Sequence, residues 1–330
     1  MKIYDVTLRD GCHAINHQLT KPQIIEYCTR VDDCGVDFVE VGHGIGLGAS
    51  SLLIGESLLS DVEMLKTARA HLRKSKLSIH IVPGYGTVDN IKEAFDCGVN
   101  TFRVATHCSE ADTAEKHINF LRGIDAEVVS GLMMSHMISP EDLLFQAKKL
   151  EDYGSTAVTI LDSAGKFIPK EVTRVMELFR ENLQIPFGFH AHNNLGFSVI
   201  NSFLAREAGA SIIDASIIGF GAGAGNVPLE LLVSAMDAHG YQHSFDLHKI
   251  LDLADYAEGL FGYRPFVNSD SIISGLAGVV SVFSRPVKAA AKAFKVDSKD
   301  IFLELGRRKA IAGQEDMIIE IAQNLVNEKK

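Results

Sequence analysis

The first three quarters of the chain alternate short apolar runs with longer amphipathic stretches. Apolar runs rich in β-branched residues are typical of buried strands. They occupy positions 3–8, 38–41, 78–82, 101–106, 128–135, 157–161, 186–192 and 212–218. The stretches between them have the spacing of helices and occupy positions 21–34, 58–75, 88–97, 111–123, 140–153, 169–181 and 198–208. Thr20 and Ser139 stand where two of these helices would take their N-terminal caps.

Strands that alternate with helices predict a parallel sheet. Eight repeats over roughly 250 residues are typical of an α/β protein with a closed (β/α)₈ barrel, the TIM barrel. An open doubly wound sheet is the alternative. It is disfavoured because no Gly-x-Gly-x-x-Gly sequence follows the first strand, where that fold would carry it.

The last quarter of the chain has a different pattern. A helix over 229–239 would close the barrel, and further helices over 247–259, 271–283, 287–294 and 315–326 follow without strands between them. We therefore expect a catalytic barrel domain over 1–245 and a helical interaction domain over 246–330.

Composition narrows the class of protein. The 330 residues are 46% hydrophobic and 22% charged, with a net charge of −10, as in a soluble enzyme. The chain has neither a long basic run nor a long apolar run, which argues against nucleic acid and membrane as partners. Its five cysteines are scattered without a Cys-x-x-Cys pair, and the N-terminus lacks a signal-peptide pattern. We expect a cytoplasmic protein with free thiols.

Polar residues follow many of the predicted strands. The carboxyl ends of barrel strands meet at one face, where barrel enzymes hold their catalytic groups. The residues in these positions are Arg9, Asp10, His43, His107, His136, Asp162, Ser163, His190 and His192.

Three of these residues form a candidate metal site. His190 and His192 are two positions apart on a strand, so their side chains point to the same face. Together with the Asp10 carboxylate they would hold a divalent metal and leave coordination positions open for substrate. Arg9 suits a substrate carboxylate or an enolate oxygen. His13 lies in the same loop and is the candidate general base.

Two other features leave alternatives open. The glycine runs 42–48 and 219–225 match no phosphate-binding motif, and they fit either a phosphate site or close backbone approach to the metal pocket. Lys166 follows the sixth strand and could form a Schiff base in a metal-free aldolase. A solvated lysine is the preferred interpretation, because Lys166 lies several residues beyond the strand.

The sequence resembles the DRE-TIM metallolyase superfamily and, within it, the 4-hydroxy-2-oxovalerate (4-hydroxy-2-oxoacid) aldolase family. The segments that carry the resemblance are Thr7-Leu8-Arg9-Asp10-Gly11-Cys12-His13, Val39-Glu40-Val41-Gly42-His43-Gly44, Leu132-Met133-Met134-Ser135-His136-Met137, His190-Ala191-His192-Asn193, Gly221-Ala222-Gly223-Ala224-Gly225-Asn226 and Gly313-Gln314-Glu315-Asp316-Met317-Ile318. They span nearly the whole chain, including the tail.

The resemblance implies a metal-dependent aldolase that cleaves a 4-hydroxy-2-oxoacid to pyruvate and an aldehyde, and that runs the reverse addition. It implies Mn²⁺, with Mg²⁺ or Co²⁺ as alternatives, on Asp10, His190 and His192. Arg9 would steady the enolate and His13 would act on the 4-hydroxyl. Ser163 would hold the substrate carboxylate, with His190 also beside the substrate. The resemblance further implies an oligomer whose tail, in many members, joins an acylating aldehyde dehydrogenase.

One departure from the family pattern bears on specificity. Val280, in Gly278-Val279-Val280-Ser281-Val282, stands where the family usually has a tyrosine that shapes the pocket and controls stereochemistry at C4. Ile45 and Tyr85 also differ from the usual residues. We therefore expect a substrate or a stereochemical preference that differs from the family's.

Two rival functions stay open at this point. The first is an acyl-CoA-dependent Claisen enzyme of the same superfamily, similar to citramalate synthase. Its characteristic Gly-x-Gly-Glu-Arg loop is replaced here by Ala222-Gly223-Ala224. The second is a non-catalytic pyruvate-binding barrel that regulates a partner, which the intact Asp10, His13, His190 and His192 argue against.

Overall fold

Eight parallel strands close into a barrel in the computed structural model, which describes residues 1–328. Each strand pairs with its neighbour in the sequence, and the first pairs with the last. The closed (β/α)₈ barrel is therefore confirmed and the open sheet is excluded. The strands are β1 Lys2–Asp5, β2 Phe38–Glu40, β3 Lys76–Ile81, β4 Thr101–His107, β5 Glu127–Met133, β6 Ala157–Asp162, β7 Phe187–Ala191 and β8 Ile212–Ala215.

A helix follows every strand. These are α1 Lys21–Val31, α2 Asp61–His71, α3 Val88–Asp96, α4 Glu115–Gly123, α5 Pro140–Tyr153, α6 Pro169–Asn182, α7 Ser198–Glu207 and α8 Leu229–Ala238. The expected caps are present, because Thr20 accepts a hydrogen bond from the Gln23 amide and Ser139 accepts one from the Asp142 amide.

Several predicted elements run too far along the chain. The predicted strand over 128–135 was wrong at its end, because β5 stops at Met133 and Met134 adopts a left-handed conformation with φ 56°. The predicted strand over 212–218 also ends early, since β8 stops at Ala215 and the chain then turns. The apolar residues beyond these ends line turns of the barrel mouth, which hydrophobicity alone does not separate from strands.

The barrel interior is ionic at mid-height. Its lower layer is apolar and contains Tyr4, Phe38, Val129, Ala157 and Ile212. Above it, Arg103 of β4 bonds both Glu40 of β2 and Asp214 of β8. Side chains from strands so far apart in the barrel can meet only inside it. This layer replaces the branched apolar residues that usually fill TIM barrels.

The tail consists of five helices, α9 Leu247–Phe261, α10 Ser269–Ala277, α11 Ser284–Phe294, α12 Ser298–Arg307 and α13 Asp316–Asn327. The sequence analysis missed α12. It also extended the predicted helix 271–283 too far, because Gly278 ends α10 in a left-handed conformation. Helix α9 packs into the barrel core through Ile250 and Leu253, whereas α11, α12 and α13 enclose a core of their own.

Polar contacts fasten the tail to the barrel mouth. Asn194 donates to the Ser271 carbonyl at 3.1 Å, and His136 contacts the Gly278 carbonyl at 3.1 Å. Arg285 donates to the Asn16 side chain at 2.6 Å. The tail therefore stands over the face at which the strands end. Among residues 1–328, no helix is both long enough and apolar enough to cross a membrane.

Candidate active site

Asp10, His190 and His192 converge at the mouth of the barrel. One potential ligand atom from each lies within 4.8 Å of the other two. The two histidine Nε2 atoms are 3.3 Å apart, and all three residues are buried. Two nitrogens that each lie about 2.1 Å from one divalent ion can be at most about 4.2 Å apart. The spacing therefore fits a shared ion.

Hydrogen bonds fix which nitrogen of each ring faces the site. His190 donates from Nδ1 to the Asp214 carboxylate at 3.0 Å, and His192 contacts the Gly225 carbonyl through Nδ1 at 3.3 Å. With Nδ1 engaged in this way, the Nε2 atom of each ring faces the other ring and can serve as a ligand atom. This is the usual arrangement of histidines that bind metal.

The Asp10 carboxylate is held ionised. Burial raises its pKa, but surrounding positive charge, above all the Arg9 guanidinium, lowers it well below the usual range of an aspartate. Burial lowers the pKa of His192 to about 4, so this imidazole is neutral near neutral pH. An ionised carboxylate and a neutral His192 ring are the protonation states that metal binding requires of these two residues.

The glycine run 219–225 wraps around Asp10. The Ala222 amide and the Asn226 side chain donate to Asp10 Oδ2, at 3.0 and 2.9 Å. A Cβ on Gly221 would lie 2.4 Å from Asn226 Nδ2 and 2.7 Å from Asp10 Oδ2. The run therefore serves close backbone approach to the site, and its Ala222 amide is already used by Asp10 rather than free for a phosphate.

Arg9 lies beside Asp10, and one of its hydrogen-bond donors is unpaired in the described part of the chain. Its Nη1 donates to Asp10 Oδ1 at 2.8 Å and its Nε donates to Glu40 at 2.6 Å. The buried Nη2 has no hydrogen-bond partner within the described part of the chain. A buried, charged donor without a partner is costly, so this atom is suited to an oxygen of a ligand.

A chain of alternating charges connects Arg9 to His190. Glu40 bonds Arg9 through one oxygen and Arg103 through the other, and Arg103 bonds Asp214, which holds His190. Burial opposes ionisation of Asp214, but Arg103 and His190 lower its pKa below the usual value. The sequence analysis missed Arg103 and Asp214. The available signal was a charged residue inside each of two predicted buried strands.

His13 stands at the edge of this group and is not one of the three clustered ligand residues. Its half-buried ring packs edge-on against His17, with ring centroids 5.1 Å apart. Burial, opposed by Asp10, lowers the pKa of His13 below its usual value. A neutral imidazole at the mouth of the pocket is suited to accept a proton.

The other predicted residues make contacts of their own. Ser163 follows β6 and accepts a hydrogen bond from the Met134 amide at 3.1 Å, so its hydroxyl proton is free to donate. Lys166 donates to the Leu276 carbonyl of the tail at 2.8 Å. His107 contacts Ser109. The structure therefore gathers Arg9 and His13 around the three clustered residues and uses Lys166 to bind the tail.

Comparison with known proteins decides the family. The HMGL-like family matches residues 1–256, and the DmpG-like communication domain matches residues 265–327. The 4-hydroxy-2-oxovalerate aldolase of Pectobacterium atrosepticum is 51% identical over 323 residues, which are 97% of this chain and 94% of that protein. The protein of the same name from Spirochaeta aurantia is 51% identical over 325 residues, 98% of this chain and 95% of its own length.

The chain belongs to the 4-hydroxy-2-oxovalerate aldolase family. As a member of that family it is a carbon–carbon lyase, and the acyl-CoA-dependent alternative is not favoured. A solved structure shares the fold alone. The carboxyl transferase domain of pyruvate carboxylase from Rhizobium etli is 15% identical with a TM-score of 0.81, covering 100% of this chain and 60% of that one.

Proposed function

We propose that this aldolase cleaves a 4-hydroxy-2-oxoacid to pyruvate and an aldehyde and catalyses the reverse addition, with a divalent metal on Asp10, His190 and His192. The observation that carries the proposal is the pair of Nε2 atoms 3.3 Å apart beside an ionised, buried carboxylate. A metal held there would act as a Lewis acid on the 2-oxoacid. The remaining steps belong to side chains of this chain.

Arg9 binds the oxygen on which negative charge develops. Its free Nη2 would donate to the 2-oxo oxygen, and this interaction strengthens as the C3–C4 bond breaks and the enolate forms. Its other donors hold Asp10 and Glu40, so the guanidinium is already fixed before substrate arrives. Ser163 would donate its hydroxyl proton to the substrate carboxylate. His190, whose ring lies inside the barrel, would also line the substrate site.

His13 removes the proton of the 4-hydroxyl group. The electron pair of that O–H bond forms the aldehyde carbonyl, the C3–C4 bond breaks, and its electrons form the pyruvate enolate. Protonation of the enolate at C3 gives pyruvate, and the reverse order gives aldol addition. The lowered pKa of His13 keeps the ring unprotonated at neutral pH, as a base requires.

The kinds of donor atom at the site favour some divalent metals over others. Two imidazoles and one carboxylate are a poor match for Mg²⁺, which prefers oxygen ligands, and a better match for Mn²⁺ or Co²⁺. We propose Mn²⁺ as the metal that the chain uses.

The helical tail indicates the kind of protein partner. A communication domain over residues 265–327 supports a hetero-oligomer with an acylating aldehyde dehydrogenase that takes the aldehyde product. We propose a catalytic domain over 1–245 and an interaction domain over 246–330, with α9 fixing the second to the first; residues 329 and 330 lie outside the described part. The five buried, unpaired cysteines support a cytoplasmic location.

The test is a retro-aldol assay on enzyme loaded with each metal in turn, with pyruvate detected by a coupled dehydrogenase. We expect Mn²⁺ or Co²⁺ to support turnover of a 4-hydroxy-2-oxoacid, and His13→Ala to lower kcat by about 10²–10⁴-fold with unchanged metal content. Turnover of acetyl-CoA with thiol release instead would refute the proposal. If His13→Ala lost metal, His13 would be a ligand rather than the base.

A further inference from the structure

Two consecutive residues just beyond His13 hold a backbone conformation that side chains rarely adopt. Asn16 has φ 53° and His17 has φ 61°. Residues other than glycine adopt this left-handed region uncommonly, although asparagine and histidine do so more often than most, and such a conformation is often found at functional sites. Here the turn places the His17 ring against His13.

The His17 ring lies between two other imidazoles. It stacks on His43 with centroids 3.7 Å apart and planes 16° apart, and it meets His13 edge-on at 5.1 Å. His43 is itself fixed at both nitrogens. Its Nδ1 accepts from the Ile45 amide at 3.1 Å, which leaves Nε2 to donate to the Gly55 carbonyl at 3.1 Å. The position of His43 thus sets the plane of His17.

The Gly44 peptide links the same rings. Its amide donates to His17 Nδ1 at 3.3 Å. A Cβ on Gly44 would lie 2.6 Å from His13 Nε2, so the His13 ring rests directly on this glycine. Burial, with some help from His43 and His13, lowers the pKa of His17 to about 3, and the neutral ring can accept this hydrogen bond.

We propose that His17 is a positioning residue that fixes the imidazole of His13 for proton transfer, through its ring edge and through the Gly44 peptide that it holds. The proposal rests on the role of His13 as the base. His17 would not touch substrate or metal; it would act by keeping His13 in the orientation that the reaction needs. Small misplacements of a catalytic group are costly, up to about 100-fold in rate.

Three variants test the proposal against a control, each measured for kcat, for KM of the 2-oxoacid and for Mn²⁺ affinity. His17→Ala removes the ring and the acceptor, and we expect kcat to fall by about 10-fold to 100-fold with KM and Mn²⁺ affinity within about twofold of wild type. His17→Asn keeps an acceptor for the Gly44 amide and tolerates positive φ, so it should recover part of the lost kcat. Gly44→Ala pushes a methyl group into His13 and should lower kcat without any change at His17.

The control is His71→Ala, because the hydrogen bond that His71 makes within residues 1–328 lies in its own helix, to the Thr67 carbonyl. It should leave kcat unchanged. Wild-type kcat in His17→Ala would overturn the proposal, as would an equal loss of Mn²⁺ affinity and kcat. If His17→Ala does not fold, judged by circular dichroism, His17→Asn and Gly44→Ala decide in the same way. A His13→Ala variant with full activity would instead refute the proposed function itself.

Discussion

Replacement of Asp214 with asparagine should weaken metal binding although Asp214 is not a ligand. Asp214 Oδ2 accepts from His190 Nδ1 at 3.0 Å and from Arg103 at 2.7 Å, inside a barrel that excludes solvent. The carboxylate orients the His190 ring and increases the basicity of its Nε2. Loss of such a partner costs about 10-fold to 100-fold in metal affinity, which corresponds to about 1.4–2.7 kcal/mol.

The assay is isothermal titration of chelator-stripped enzyme with Mn²⁺, with His190→Ala as the reference for loss of a ligand. Asp5→Asn is the matched control. Asp5 is an equally buried strand carboxylate, but it bonds the hydroxyl groups of Thr7 and Tyr27 rather than a histidine. We expect Asp214→Asn to bind Mn²⁺ about 10-fold to 100-fold more weakly and Asp5→Asn to bind as wild type. Equal affinity in the wild type, Asp214→Asn and Asp5→Asn would refute the reasoning. An equal loss in Asp214→Asn and Asp5→Asn would assign the effect to general destabilisation.

The other predictions concern the reaction. Arg9→Met should lower kcat by about 10²–10³-fold, because removal of one hydrogen-bond donor to an oxyanion lowers kcat by about that factor. The Mn²⁺ affinity of Arg9→Met should change far less than that of Asp10→Ala. Burial lowers the pKa of His13 below its usual 6.5, and His13 must be neutral to act as a base. We therefore expect kcat/KM to fall only as the pH drops through a midpoint below 6.5. A midpoint above 6.5 would contradict the assignment of His13. Val280→Tyr should change the ratio of C4 stereoisomers formed from pyruvate and an aldehyde, measured by chiral chromatography, with KM for pyruvate unchanged. Borohydride with pyruvate should leave the enzyme active, because Lys166 binds the tail through the Leu276 carbonyl; inactivation would indicate a Schiff base.

The sequence was sufficient to predict the parts of the fold that depend on local pattern. The alternation of apolar runs and helices predicts the barrel, and the spacing of His190 and His192 predicts two imidazoles on one face. Asp10 joins them because the ends of β1 and β7 open onto the same face of the barrel, which the parallel topology requires.

The sequence was insufficient where the decisive contact joins distant segments. Arg103 and Asp214 are 111 residues apart in the chain, and only the closed barrel brings their side chains together. The tail was predicted less well for a related reason. Helix α12 is a short amphipathic segment, and its apolar residues Ile301, Phe302 and Leu305 become buried only against neighbouring tail helices.

The proposed role of His17 also could not be predicted from the sequence. A histidine four residues after the candidate base has no distinguishing pattern. Its contacts with His43, His13 and the Gly44 amide become visible in the folded structure alone. The same holds for Gly221, whose missing side chain matters because Asn226 and Asp10 occupy the space that a Cβ would need.

The most direct test of the metal site is retro-aldol activity measured during titration of fully chelated enzyme with Mn²⁺. Activity should be absent without metal, rise linearly, and saturate at one ion per chain, and the His192→Ala enzyme should show neither tight binding nor recovery. Full turnover by the metal-free enzyme, or wild-type binding by His192→Ala, would contradict a reaction centred on Asp10, His190 and His192.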